Sequence, residues 1–304
     1  MDKNFFKKIR ILDGGMGQEL HAQGLVSKGT LWMTSAVLEE KYHKLIIDTH
    51  LDYIKAGAEV ITTSTFSSRK IRMQQNKVNH LFEYANKKSC ELALSAKEIS
   101  KNNVLIAGSI PAQFNTYKED MRDIKVIHDS FLSQIKCIIE YVDFIYLDVI
   151  SSGREIAIAT EIIEKFDKPI LVGIHLSKNG KLPSGENIEQ VVNKYKSSYW
   201  IGILSSCVSM EIAEKSINEL KNTKLPFGYK VNLWGKDEPS PIQEITKADY
   251  DQNAVNLNTV MGKREVEDKI FKDLGKRFID NGATILGGCC ETNPKHVKLL
   301  SNLK

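Results

Sequence analysis

Short runs of apolar, β-favouring residues recur along the chain, separated by longer stretches whose apolar positions return every three or four residues. The runs are Arg10–Asp13, Glu59–Thr63, Val104–Gly108, Phe144–Asp148, Ile170–His175, Tyr199–Leu204, Phe227–Asn232 and Thr284–Gly287. Most are continuous rather than alternating, the pattern of strands buried on both faces of a parallel sheet. Helical periodicity fills the intervals, as from Leu38 to Ala56, Asn187 to Tyr195 and Glu211 to Leu220. Eight strand–helix repeats predict a single (β/α)8 TIM barrel, an α/β architecture of ~250 residues that insertions lengthen. A doubly wound open sheet is the rival, but it usually has fewer strands. Residues 1–304 read as one domain, with an irregular insertion at about 235–262, rich in Pro, Asp and Asn. It follows strand seven, where a barrel places a loop over its active face.

Composition narrows the function. A hydrophobic share of 42% with 26% charged residues is ordinary for a soluble enzyme. The net charge of +4 is small and its lysines are scattered, which argues against a nucleic-acid partner. No apolar stretch approaches the roughly 20 residues that a membrane span needs. The basic start, Asp2-Lys3-Asn4-Phe5-Phe6-Lys7-Lys8, lacks the apolar core of a signal peptide. Five cysteines, an odd number without a disulfide-scaffold spacing, point to reduced thiols and a cytoplasmic protein.

In a (β/α)8 barrel the active site lies at the carboxyl ends of the strands. The expected ends carry Asp13-Gly14-Gly15-Met16-Gly17, Thr62-Thr63-Ser64-Thr65-Phe66, Asp148, Cys207 and Cys289-Cys290. Three thiols at the ends of strands six and eight suit three ligands of one metal with its fourth position open, the arrangement of a catalytic zinc. Iron also accepts thiolates. The competing reading of Cys289-Cys290 is a strained redox disulfide. Cys90 and Cys137, inside helical stretches, read as small buried hydrophobes. Asp13 and Asp148 face the mouth as buried carboxylates, for which a substrate ammonium is one partner and a helix-capping role the alternative. Trp32, in the first long loop, is either a packing lid or a face for a cationic ligand. His175 is a rim residue at the end of strand five, and His296 stands where it would steady the Cys289-Cys290 turn.

The stretches Ile11-Leu12-Asp13-Gly14-Gly15-Met16-Gly17-Gln18-Glu19-Leu20, Ala56-Gly57-Ala58-Glu59-Val60-Ile61-Thr62-Thr63 and Ala107-Gly108-Ser109-Ile110 carry a resemblance. The most specific piece is Gly287-Gly288-Cys289-Cys290-Glu291-Thr292-Asn293-Pro294-Lys295-His296-Val297. Together they resemble the homocysteine S-methyltransferase family over nearly the whole chain. The resemblance implies a (β/α)8 barrel that binds zinc through Cys207, Cys289 and Cys290 and moves a methyl group onto homocysteine to give methionine. It further implies that Asp13, Gly14, Thr63 and Asp148 hold the amino-acid part of homocysteine. Four positions depart from the family pattern. Asp148-Val149 stands where a glutamate and then a threonine or aromatic residue are usual. Ser206 replaces the asparagine before the first zinc cysteine, and Ser67 follows Phe66 where betaine-using relatives carry tyrosine. The implied donor is a small cation: betaine, S-methylmethionine, S-adenosylmethionine or dimethylsulfoniopropionate. Methyl transfer to another thiol, a zinc hydrolase, and a non-catalytic metal- or redox-sensing barrel are the other functions this residue set admits.

Overall fold

The computed structural model describes residues 2–236, 250 and 261–304. Its eight strands are β1 Arg10–Ile11, β2 Val60–Thr62, β3 Leu105–Pro111, β4 Phe144–Ile150, β5 Ile170–Ile174, β6 Trp200–Val208, β7 Phe227–Val231 and β8 Ile285–Gly288. All pair in parallel in the order β1-β8-β7-β6-β5-β4-β3-β2. The first and last members also meet. Glu59 N–H donates to Ile11 O at 2.8 Å, Asp13 N–H donates to Val60 O at 3.1 Å, and Leu12 bridges Val60. The sheet is therefore a closed (β/α)8 barrel, as the run pattern predicts. Most of the expected insertion at 235–262 lies outside the described residues.

Alternation along each strand sorts the core into two shells. Phe144 and Tyr146 of β4 join Leu12, Val60, Ala107, Leu171, Leu204 and Ile285 inside the barrel. Ile145 and Leu147 face outward into the layer between sheet and helices. The amino end of the barrel is stoppered by a 3-10 turn, Phe5–Lys7, whose Phe6 is fully buried and meets Phe144 edge-on at 5.7 Å. The backbone carbonyl of Phe6 accepts a hydrogen bond of 2.6 Å from Thr284 Oγ1, which ties the turn to the approach of β8.

Three long strands run past their expected ends, β3 by three residues to Pro111. Strand β6 runs on to Val208, so Cys207 lies within it rather than after it, and β4 runs two residues past Asp148 to Ile150. Polar residues in the mouth interrupt the apolar pattern before the backbone pairing ends. The helices differ similarly. Expected as one helix from Leu38 to Ala56, the chain instead breaks at Glu39, whose backbone is extended, before a helix at His43–Ala56. The stretch Glu211–Leu220 divides at Ser216, whose hydroxyl donates to Ala213 O at 2.7 Å in competition with the helical ladder. Asn187 caps the helix Ile188–Tyr195 in a reciprocal box with Gln190. No described helix is long and apolar enough to cross a membrane.

The stopper gives the first prediction. Phe6→Ala should lower unfolding free energy by about 3–5 kcal/mol in a denaturant titration, the usual loss for an aromatic removed from a packed core. A loss under about 1 kcal/mol would mean that the turn does not close the barrel in solution.

Candidate active site

The inward positions of the strands change character near the carboxyl end. Two residues beyond Val60, Ala107, Tyr146, Leu204 and Gly228 come Thr62, Ser109, Asp148, Ser206 and Lys230. A polar layer thus rests on the apolar filling of the barrel. Above it opens a cleft lined by Asp13, Gly14, Trp32, Thr62, Thr63, Phe66, Ser109, Tyr117, Asp148, Val149, Cys207, Lys230, Cys289 and Cys290, among others.

Cys207, Cys289 and Cys290 converge on one wall. Their sulfurs lie within 4.8 Å of one another, with Cys207–Cys290 at 3.8 Å and Cys289–Cys290 at 4.0 Å. Sulfurs bound tetrahedrally at a zinc distance of ~2.3 Å would stand about 3.8 Å apart. The donor set and its spacing fit that metal, and all five cysteines of the chain are free thiols. The convergence depends on β7, which separates β6 from β8 and so spaces the two cysteine-bearing ends.

Strand irregularities aim the side chains. The β6–β7 register shifts between Ser206 and Val208, and Cys207 has φ 53°. The β4–β5 register shifts between Leu147 and Ile150, and Val149 has φ 61°. A positive φ is a strained state for a β-branched residue and is held only by its surroundings. Both bulges turn an otherwise outward residue into the cleft. Cys207 lies in a pocket with Trp32, Tyr117, Val149, Trp234 and Met261. Tyr117 Oη is 3.4 Å from its sulfur, while Asn232 Nδ2 donates to Cys207 O at 2.8 Å and approaches the sulfur at 3.8 Å.

Three thiols this close repel one another when ionised. Burial pushes the Cys207 thiol up, but hydrogen bonds from Cys289, Cys290, Tyr117 and Asn232 outweigh it and hold Cys207 well below the usual range. Cys289 is raised, chiefly by its hydrogen bond to Cys207, and Cys290 is raised for the same first reason. A divalent cation would relieve that repulsion and let all three ionise.

The glycines of the first loop answer to close packing. A side chain at Gly17 would strike the Trp32 indole at 2.1 Å, and one at Gly15 would strike Cys289 O at 2.5 Å. Gly17 thus lets Trp32 lie along the cleft, and Gly15 lets this loop pack on the cysteine turn.

The carboxylates are partnered within the protein. Asp13 Oδ1 accepts from Lys230 Nζ at 2.6 Å and Thr62 Oγ1 at 2.9 Å, and Oδ2 accepts from Thr62 N–H at 2.6 Å. Asp148 Oδ2 accepts from Ser109 Oγ at 2.9 Å, and Oδ1 from Ser206 Oγ at 3.3 Å. Burial, then the Cys289 charge, pushes Asp148 up to about 7, against Lys230, Ser109 and Tyr146. Neither acid caps a helix: Gly15 and Ser152 stand at those N-caps. Ser206 lies under Asp148, bonded at 2.6 Å to Tyr146 Oη, and does not line the cleft. His296 lies in the first turn of the last helix, Pro294–Ser301. Its ring bonds Asn293 in the cap of the last helix and meets Phe271 edge-on. The His175 ring meets Tyr117 at a centroid distance of 4.6 Å, tilted by 52°. Cys90 and Cys137 are buried in helices, away from the cleft.

Sequence reasoning missed Lys230, Tyr117, Ser109 and Asn232. Lys230 had a visible signal, as the lone charge in the apolar run Phe227-Gly228-Tyr229-Lys230-Val231. Tyr117 had none, since it reaches the cleft from the loop after β3.

The fold and the three-thiol cluster define a (β/α)8 barrel with a site that could hold a metal ion at its mouth. The chain belongs to the homocysteine S-methyltransferase family, whose model matches residues 10–303. It is 24% identical to "Homocysteine S-methyltransferase 2" of Saccharomyces cerevisiae, across 97% of this chain and 94% of the relative. It is 29% identical to the Rattus norvegicus "S-methylmethionine--homocysteine S-methyltransferase BHMT2", across 97% of this chain and 78% of the relative. In structure it is similar to the metallated homocysteine methyltransferase MmuM of Escherichia coli, with a TM-score of 0.78 at 20% identity, covering 98% of this chain and 96% of that one.

The thiol cluster gives the second prediction. After zinc loading, reduction and desalting, elemental analysis should find about one metal per chain in the unmodified protein and in Cys90→Ser. Cys207→Ser, Cys289→Ser and Cys290→Ser should each lose most of it. Full retention in any of these three would remove that residue from the ligand set.

Proposed function

We propose that the protein transfers a methyl group from a small cationic donor to the thiol of homocysteine, giving methionine, with zinc held by Cys207, Cys289 and Cys290. The observation that carries this reading is the meeting of three sulfurs within 4.8 Å on the wall of a partly aromatic cleft. Zinc, when bound there, lowers the pKa of a coordinated thiol and keeps the acceptor sulfur nucleophilic at neutral pH, where a free thiol near ~8.5 is mostly protonated. Tyr117 and Asn232 orient Cys207, and the loop at Gly14–Gly17 and Thr63 borders the place for the acceptor's backbone end.

The donor is a sulfonium or quaternary ammonium compound. Its charge disappears as the methyl group leaves, and a cleft walled by Trp32, Phe66, Tyr117 and Val149 favours loss of charge over its creation. Aromatic faces also attract such cations. Tyr117 supplies an aromatic surface that Ser67 and Val149 do not. S-methylmethionine has the support of the BHMT2 relatives' names, and betaine, S-adenosylmethionine and dimethylsulfoniopropionate share its chemistry. Reduced thiols at the centre suit work in the cytoplasm.

Reduced, zinc-loaded protein should form methionine from homocysteine with at least one of the four donors supplied singly, and a strong chelator should abolish the product. No methionine from any donor, in protein shown to hold its metal, would refute the assignment.

A further inference from the structure

We propose that Lys230 sets acceptor specificity by supplying, from the protein, the cation that Asp13 and Asp148 would otherwise take from a substrate's α-ammonium, so that the site accepts thiol carboxylates carrying no amino group. This rests on the methyl-transfer reading above and concerns what the acceptor must carry besides its sulfur.

Two acids at the mouth of a barrel call for a cation, because a buried carboxylate without a partner is expensive. The chain meets that demand itself. Lys230 is 5% exposed, comes from the inward face of β7, and lines the cleft with the cysteines. Its Nζ stands 2.6 Å from Asp13 Oδ1 and 3.5 Å from Thr62 Oγ1, with the Tyr146 ring centred 5.7 Å away. With the two bonds from Thr62, Asp13 accepts three in all, two of them on Oδ1. Asp148 is held by two hydroxyls and lies within electrostatic reach of the same ammonium.

An α-ammonium entering here meets a like charge already paired with the nearer acid. A ligand carboxylate meets a fixed cation in a poorly solvated wall, where charge interactions are strong. Preference among acceptors follows from that difference rather than from total contact area. A purely structural Lys230–Asp13 pair would stabilise the barrel without altering which thiols are used.

The experiment compares homocysteine with 4-sulfanylbutanoate, which lacks only the amino group, and 3-aminopropane-1-thiol, which lacks only the carboxylate. In the unmodified, zinc-loaded protein, kcat/KM for 4-sulfanylbutanoate should lie within about tenfold of homocysteine, and the aminothiol should fall by about a hundredfold or more. A loss of more than about tenfold for 4-sulfanylbutanoate overturns the proposal. Lys230→Met should raise the preference for homocysteine over 4-sulfanylbutanoate by at least about tenfold, and an unchanged ratio in a folded variant also overturns it. The wild-type comparison decides the matter should the variant not fold. Calorimetry with methionine and 4-(methylsulfanyl)butanoate supplies a readout without turnover, with dissociation constants expected within about tenfold of each other. Failure to methylate homocysteine while 4-sulfanylbutanoate reacts would sink the homocysteine assignment and support this one; the reverse would do the opposite.

Discussion

Everything in the mouth of this barrel depends on bringing three sulfurs to the spacing of one tetrahedral ion. Cys289 and Cys290 follow the last strand directly, but Cys207 arrives from a strand two places away. A regular β6 would direct Cys207 into the helical layer, on the face opposite its neighbour Ser206. The bulge at Ser206–Val208 turns it inward at φ 53°, and contacts from Tyr117 and Asn232 keep it there. The loop Gly14–Gly17 then packs on the cysteine turn and brings Trp32 over the cleft, which no larger residue at Gly15 or Gly17 would permit. The distortion lies in a closed sheet stoppered by Phe6, so the strain is borne by a structure unable to relax it locally.

Beneath the sulfurs, the change from an apolar to a polar inner layer gives the cleft its electrostatic character. Thr62, Ser109, Asp148, Ser206 and Lys230 form one inward layer, and nearly every charge or hydroxyl among them is engaged by a neighbour. Satisfied networks of this kind are rigid, and removing one member strands the rest. The buried Lys230–Asp13 pair illustrates this: the desolvation of both ions offsets much of their attraction, while loss of either partner leaves a charge of about 3–5 kcal/mol consequence. Such a pair is a feature of recognition more readily than of stability.

The barrel was legible because eight buried parallel strands leave an unambiguous apolar signature, and the thiols because adjacent cysteines after two glycines have few other uses. Less legible were the strand ends at Asp148 and Cys207, where function puts polar residues into backbone that still pairs. Asp13 was read as facing the mouth, with a substrate ammonium or a helix cap as its partner, and the lysine that pairs with it lies 217 residues away in β7. Periodicity reports which face a residue takes and says nothing of which distant side chain meets it. Ser206 and His296 show the same gap: each has the right chemistry, yet one lies beneath the acid layer and the other caps a helix. Tyr117 was invisible because loop residues follow no period at all.

X-ray absorption at the zinc edge, on reduced protein with and without homocysteine, tests the central claim most directly. The account predicts a shell of three protein sulfurs at ~2.3 Å that becomes four sulfurs when homocysteine is added. A sulfur count unchanged by homocysteine, or a resting shell dominated by nitrogen and oxygen, would contradict it.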